Sequence, residues 1–312
     1  MIKVIFCGTP DIALKSLDYL NNSSNIEVQA VITQPDRPSG RGQKLLPSPI
    51  KKYATEHNIP VFQPKSIRKE LDIQEEIKKL QPDFFVTFAF GQILSQEVLD
   101  IPKYETINLH ASLLPAYRGA DPIQRVLING EKQTGICTMI TEVGLDCGDV
   151  CKKEIIDIPD EMNFEDLYNI ISEKSPKLIE ETLIGLVENT IMPEKQSEEG
   201  VSNAPKIKKE EAKIDWTFSA RQIHNLVRGL YKAPCAHCFY NGKMLKLMQT
   251  KILDETTTGI GGKVLAITKQ GIEVQTTKGV LLVEQVKPEG KGIMNSRDWA
   301  NGSKIKAGDI YD

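Results

Sequence analysis

No stretch of the 312-residue sequence approaches the ~20 consecutive apolar residues that a membrane-crossing helix needs. The opening MIKVIFCGTPD holds one lysine and a short apolar run that meets Gly-Thr-Pro at once. That run is too short for a secretory signal and precedes no small-residue cleavage pattern, so it reads as a first strand and a cytoplasmic location is expected. One-signed charge is also missing: the net charge is only −3, which gives no support to a generic nucleic-acid binder and leaves a local basic patch as the route to one. Cysteine is sparse and scattered, at Cys7, Cys137, Cys147, Cys151, Cys235 and Cys238, so reduced thiols are expected rather than a disulfide framework. Cys235-Ala236-His237-Cys238 supplies one Cys-x-x-Cys, where zinc wants four ligands. It also lacks the βαβ setting of a redox pair, so no metal is expected. There is no serine nucleophile elbow, no phosphate loop and no Gly-x-Gly-x-x-Gly after the first strand; Gly40-Arg41-Gly42-Gln43-Lys44 fits neither phosphate cradle. Nothing points to a covalent serine enzyme, an ATPase or a dinucleotide enzyme. Repeats and low-complexity tracts are absent too.

What is present is ordinary globular composition, 40% hydrophobic and 26% charged, in a chain long enough to suggest two domains. The first half alternates short apolar runs (3–7, 28–33, 84–88, 106–109, 135–140) with segments of helical spacing (11–20, 49–57, 69–80, 122–129). Continuous apolar strands suit a sheet covered on both faces. Strand alternating with helix predicts an α/β domain built on a doubly wound, mostly parallel sheet. A longer helix is expected over 163–186. The polar stretch PEKQSEEGVSNAPKIKK then has no periodicity and reads as an interdomain linker. Beyond it the sequence predicts one helix (219–231) and short, glycine-divided strands (236–240, 244–253, 262–268, 271–276, 280–286), the spacing of a small antiparallel barrel. The expected division is 1–189, a linker over 190–207, and 208–312.

Ligands of open parallel sheets sit outside the carboxyl ends of the strands. Asn108 and His110, in INLHASLLPAYRGADP, lie at such an end, and positions i and i+2 of an extended chain project to one side. Each has a bland alternative: a satisfied half-buried ring, or an ordinary asparagine turn. Gly144-Leu145-Asp146-Cys147-Gly148-Asp149 follows the 135–140 strand, and its two glycines suit a tight loop that aims Asp146 toward the same crevice. An amide donor, a titratable ring and an orienting carboxylate make an oxyanion and acid/base set. Direct transfer of a group to an amine needs no nucleophile and suits it.

Asn108-x-His110, Ser112-Leu113-Leu114-Pro115, Tyr117-Arg118-Gly119 and the 144–149 loop together resemble the folate-dependent formyltransferases. The resemblance implies a formyl donor, 10-formyltetrahydrofolate, and an amine acceptor. It implies that Asn108 donates to the oxyanion, that His110 stabilises it and assists proton movement, and that Asp146 holds His110. Ser112, Leu113, Leu114 and Pro115 would line the folate site, with Phe88, Phe90, Gly91 and Ile93 in the pterin wall. Asp121 departs from the family pattern, where a small uncharged residue is usual.

Two features bear on the acceptor. The loop QPDRPSGRGQKLLPSPIK carries Arg37, Arg41, Lys44 and Lys51, and long loops inside domains tend to be functional. It is similar to the insertion with which the tRNA-acting members of the family wedge into an acceptor stem, with Arg41 at the sensitive position. The run KIKKEEAKIDW resembles the entry to their C-terminal, oligonucleotide-binding-like (OB-like) barrel, which implies tRNA contacts at Lys206 and Lys208. Members acting on glycinamide ribonucleotide share the Asn, His and Asp but end near the linker. The resemblance therefore implies initiator Met-tRNA and the folate co-substrate as partners, no membrane, and a monomer. A small-molecule amine acceptor, or a binding module with an idle crevice, are the alternatives. A sugar-nucleotide enzyme with a larger reductase domain does not fit the length.

Arg41→Ala should depress kcat/KM for Met-tRNA strongly while leaving the melting temperature and folate binding unchanged, since exposed substitutions usually stay within about 0.5 kcal/mol. Arg41→Lys should recover only part, because an ammonium cannot reproduce a planar two-pronged contact. If the contact is to a phosphate, the magnitude of the log–log salt slope should drop by roughly 0.7 to 0.9. Equal kcat/KM for wild type and Arg41→Ala across the salt series would remove the loop from acceptor recognition.

Overall fold

In a computed structural model of the chain, residues 1–39 and 44–312 are described. The first half builds a seven-stranded sheet from β1 (Ile2–Gly8), β2 (Ile26–Ile32), β5 (Val61–Phe62), β6 (Phe84–Phe88), β7 (Glu105–His110), β8 (Gln133–Ile140) and β9 (Val150–Asp157). A small hairpin, β3 (Arg37–Ser39) with β4 (Lys44–Leu46), stands apart from it. The order is β5-β2-β1-β6-β7-β8-β9: the chain winds outward from β1 and then returns to β1's other side. That reversal makes the β1/β6 junction a switch point. The helices are α1 (Leu14–Asn21), α2 (Pro49–Glu56), α3 (Leu71–Lys79), α4 (Gln96–Leu99), α5 (Pro122–Ile128) and α6 (Phe164–Val187).

The apolar runs become strands because both of their faces are buried. Ile5, Cys7 and Phe85 pack with Ile77 of α3 and Val98 of α4, while Val4, Phe6 and Phe84, on the opposite face, are fully buried as well. Helix starts follow their local chemistry. Ser48 accepts from the Lys51 N–H ahead of Pro49, and Asn163 Oδ1 accepts from the Glu165 and Asp166 N–H groups at the head of α6. Five strands are joined in parallel, but β8 runs antiparallel to β7, a reversal that strand-helix alternation did not announce.

The chain divides into two units that interleave along the sequence. Residues 1–119, 134–156 and 168–203 form one; 120–133, 157–167 and 204–312 form the other. The second contains α5, α7 (Ala220–Gly229), α8 (Ser296–Ser303) and an antiparallel sheet of β10 (His237–Tyr240), β11 (Lys243–Thr258), β12 (Val264–Ile267), β13 (Ile272–Gln275), β14 (Lys278–Pro288) and β15 (Met294–Asn295). Helices α5 and α7 approach closely because glycine stands at the crossing: a Cβ on Gly229 would lie 2.7 Å from Ile128 Cγ1 and 3.2 Å from the Gln124 carbonyl.

The sheet runs β10-β11-β14-β13-β12, so β10, met at His237 by the Ile214 N–H, and β12 are its outer strands. Residues 309–312 pair with both. The Asp312 and Phe239 backbones exchange hydrogen bonds of 2.9 and 3.1 Å; the Asp309 carbonyl accepts from Val264 and the Tyr311 N–H donates to Gly262. The tail therefore closes the sheet into the expected barrel and covers two edges that would otherwise template association. Tyr311, 2% exposed, plugs the closure by stacking on Trp216 and Trp299.

Tyr311→Ala should destabilise the second unit by roughly 3–5 kcal/mol, the cost of emptying a buried aromatic site. Tyr311→Phe should cost little, because the buried hydroxyl has no hydrogen-bond partner among the described residues. Urea unfolding followed by fluorescence of the two tryptophans, both of which stack on Tyr311, reads this directly; equal midpoints for Tyr311→Ala and wild type would refute the closure role.

Candidate active site

Strand β7 is pinned between β6 and β8, and it presents Asn108 and His110 two residues apart. Thr87 lies directly across from Asn108 in the parallel register, and its hydroxyl donates to Asn108 Oδ1 at 2.8 Å. With the amide oxygen engaged, the Asn108 Nδ2 group is the outward donor, and no described residue accepts from it. The orientation of this amide is thus set by a neighbouring strand, the preorganisation that an oxyanion donor needs. Thr87 is the hydroxyl in an otherwise apolar FFVTF run; a polar atom in a strand buried on both faces requires a partner, and that was the signal by which it could have been found.

His110 is buried, and both ring nitrogens are engaged. Nε2 lies 2.9 Å from the Tyr117 carbonyl; a carbonyl only accepts, so Nε2 carries a proton. Nδ1 faces Asp146 Oδ2 at 3.6 Å. The second anchor of Asp146 is the Gly119 N–H, which donates to Oδ2 at 2.8 Å. One carboxylate oxygen thereby links the β7 end to the turn that follows it.

Asp146 does not arrive from a carboxyl end beside that of β7, as parallel alternation implied. Because β8 is antiparallel, its last residue, Ile140, pairs with Ile107, while His110 pairs with Cys137. The 141–149 loop must therefore run back along β7 to bring Asp146 to the ring. It does so with Asp146 in the left-handed region (φ 51°) and with Gly148 so close that a Cβ there would lie 2.0 Å from the Ile140 carbonyl. The segment read as linker holds these loops. Ser202 takes the Tyr117 N–H on its hydroxyl and the Arg118 N–H on its carbonyl. Gln196 Nε2 donates to the carbonyls of Asp146 and Gly148.

The remaining expected residues fall in different places. Ser112 is fully buried and donates to the Ala116 carbonyl, and Leu114 packs in a core group with Cys137, Met139 and Val150; these two side chains shape their own turn. Leu113 and Pro115 are half-buried. Phe88 and Phe90 are buried, Ile93 is exposed, and Gly91 has φ +78°. Gln34 Nε2 donates to the Phe90 and Gly91 carbonyls, which ties that turn to the chain after β2. Arg37 is exposed and donates to Gln34 Oε1. Arg41 lies outside the described residues, and of Lys44 only the backbone, paired with Ser39, is described. In the second unit Lys206 and Lys208 are exposed. Asp121 acquires a role there: its Oδ2 accepts the Ile207 N–H at 2.7 Å, while Arg125 binds the Pro205 carbonyl and the Glu211 carboxylate, so both residues dock the 204–211 segment. Cys235 and Cys238 are buried with their thiols pushed up by burial, and among the described residues no group of three or more His, Cys, Asp or Glu could hold a metal ion.

Comparison with known proteins supplies the context for this geometry. Residues 2–183 match the model of a family described as formyl transferase, and residues 206–304 match that of the formyl transferase C-terminal domain. The methionyl-tRNA formyltransferase of Clostridium perfringens (strain SM101 / Type A) is 46% identical over 309 residues, 99% of each chain; that of Clostridium tetani is 44% identical over 312 residues, all of both chains. Among solved structures, an N-formyltransferase from Helicobacter canadensis, in complex with folinic acid and dTDP-3-aminofucose, superposes with a TM-score of 0.68 at 22% identity, covering 91% of this chain and 99% of that one. A methionyl-tRNA formyltransferase from Clostridium thermocellum gives 0.55 at 18% identity, covering 89% and 100%. At these identities the solved structures speak to the fold alone.

Thr87→Val keeps the strand's shape and removes the hydroxyl that aims Asn108. A neutral hydrogen bond is worth about 1 kcal/mol, so turnover at this site should fall roughly five- to tenfold, with Thr87→Ser close to wild type. Turnover unchanged in Thr87→Val would show that Asn108 is aimed by something else.

Proposed function

The chain belongs to the formyl transferase family, and we propose that it moves the formyl group of 10-formyltetrahydrofolate to the α-amino group of methionyl-initiator tRNA. What carries the reaction is the convergence of an oriented amide donor with the buried His110 ring and the half-buried Asp146 carboxylate. What carries the acceptor is similarity to methionyl-tRNA formyltransferases that extends over both halves of the chain. The fold neighbour solved with an amino sugar nucleotide shares too little sequence to set the acceptor.

In this reading the neutral amine attacks the formyl carbon, forming one C–N bond and an oxyanion; breaking the bond to the folate nitrogen then releases N-formylated product. The amine gives up a proton and the departing nitrogen takes one, so the balance needs no outside reagent. Asn108 Nδ2 donates to the oxyanion, and the Thr87 contact means that it need not reorient as charge develops. His110, held beside Asn108 by Asp146 and the Tyr117 carbonyl, would add stabilisation to the same oxyanion and, on opening one of those two contacts, assist proton movement between the two nitrogens. Phe88, Phe90, Gly91 and Ile93, with the turn containing Leu113 and Pro115, would bound the folate, and Arg37, Arg41, Lys44, Lys206 and Lys208 would meet the tRNA. The catalytic domain would span 1–189 and the OB-like tRNA-binding domain 208–312, in a cytoplasmic monomer. No helix among the described residues is long and apolar enough to cross a membrane.

Formylation of purified Met-tRNA with 10-formyltetrahydrofolate tests the assignment. Asn108→Ala should lower kcat by on the order of a hundred- to a thousandfold, the usual loss for an oxyanion donor, and Asp146→Ala should also act on kcat, with folate and tRNA dissociation constants near wild type in both. Near-normal turnover in Asn108→Ala would end the oxyanion assignment, and absence of formyl transfer by the wild type would end the proposal.

A further inference from the structure

Gln196 lies in the stretch that composition marks as a linker, yet from Glu194 to Gly200 it is the one residue that is not exposed. Its amide is fully committed. Both Nε2 hydrogens are used, on the Asp146 carbonyl at 2.9 Å and on the Gly148 carbonyl at 2.7 Å, while Oε1 accepts from Arg118 Nε at 3.1 Å and Nη2 at 2.7 Å. Arg118 is the residue between Tyr117, whose carbonyl holds His110 Nε2, and Gly119, whose N–H holds the Asp146 carboxylate. These contacts form a closed circuit: Asp146 carboxylate to Gly119, along the chain to Arg118, through the guanidinium to Gln196, and back to the Asp146 carbonyl.

The circuit restrains both the main chain and the side chain of Asp146, which is needed because the residue sits at φ 51°. For a non-glycine residue this conformation is uncommon and persists when its surroundings over-determine it. A carboxamide is the side chain that fits: it donates twice to carbonyls and accepts from a cation, whereas a carboxylate would satisfy Arg118 and repel both carbonyls.

We propose that Gln196, aimed by Arg118, is a positioning residue for formyl transfer: it holds the 141–149 loop so that the Asp146 carboxylate faces His110 Nδ1. The proposal rests on the functional reading above, and it assigns work in the reaction to a segment outside the strand ends. Gln196 touches no reacting atom and acts through Asp146.

Gln196→Ala should lower kcat for Met-tRNA formylation by up to about 100-fold, the scale of a misplacement of about 1 Å, with KM for both substrates little changed. Gln196→Glu should not restore it. Arg118→Lys, which keeps the charge but loses the two-pronged grip on Oε1, should show a smaller loss of the same kind and serves if Gln196→Ala fails to fold. In an Asp146→Asn background, Gln196→Ala should cost little more, because its route to the reaction has already been cut. Equal fold losses in both backgrounds, or a change in KM alone, would overturn the proposal. Amide hydrogen exchange at Gly119, whose N–H is held by Asp146, reads the same circuit without any assay of activity. Protection should fall in Gln196→Ala, and unchanged protection would overturn the proposal even if the wild type formylated nothing, the result that would instead sink the functional reading.

Discussion

The carboxylate of Asp146 is the constraint on which the candidate site depends. Its Oδ2 takes the Gly119 N–H and faces the His110 ring, which joins three stretches of chain at one atom. A carboxylate in this half-buried position is tolerable because a backbone dipole and an ionisable ring compensate it. The rest of the geometry follows. With Nδ1 turned to the carboxylate and Nε2 to the Tyr117 carbonyl, the ring has one orientation, and the side chain two residues earlier, Asn108, is left to present its amide.

Preorganisation in this site comes from several elements that each carry part of it. Strand β6 sets the amide of Asn108 through Thr87. The 117–119 turn sets the ring, and the 194–203 segment sets the turn and the 141–149 loop together. Because each side chain is oriented by a neighbour that has its own hydrogen bonds, the groups need little reorganisation when charge develops, which is where electrostatic catalysis gains most.

The second unit obeys a different rule. Its barrel is built from antiparallel strands with exposed outer positions, and a sheet of that kind must manage its edges. Here the last four residues do so, pairing with Phe239 on one side and with Gly262 and Val264 on the other, and Tyr311 joins the aromatic core as they pass. Asp121 and Arg125 make the comparable anchorage at the entry to the unit, fastening the 204–211 segment to the start of α5 and to its arginine.

Much of this was determined by the sequence alone. Runs such as FFVTF and KVIFC could bury two faces as central strands, so the α/β sheet was legible, and residue type and spacing indicated that Asn108, His110 and Asp146 could converge. Three things were decided only by the tertiary structure. Strand direction was one, since an apolar run reads the same in either sense; β8 is antiparallel, and Asp146 reaches His110 by a returning loop. The groups that orient the site were another: Thr87, Gln196 and the Gly119 N–H have partners 21 or more residues away, and no local pattern encodes such a contact. The last was the work of the polar segment 193–203 and of the tail at 309–312. Their composition says only that they avoid regular structure, while their function lies in backbone hydrogen bonds, which every residue type can make.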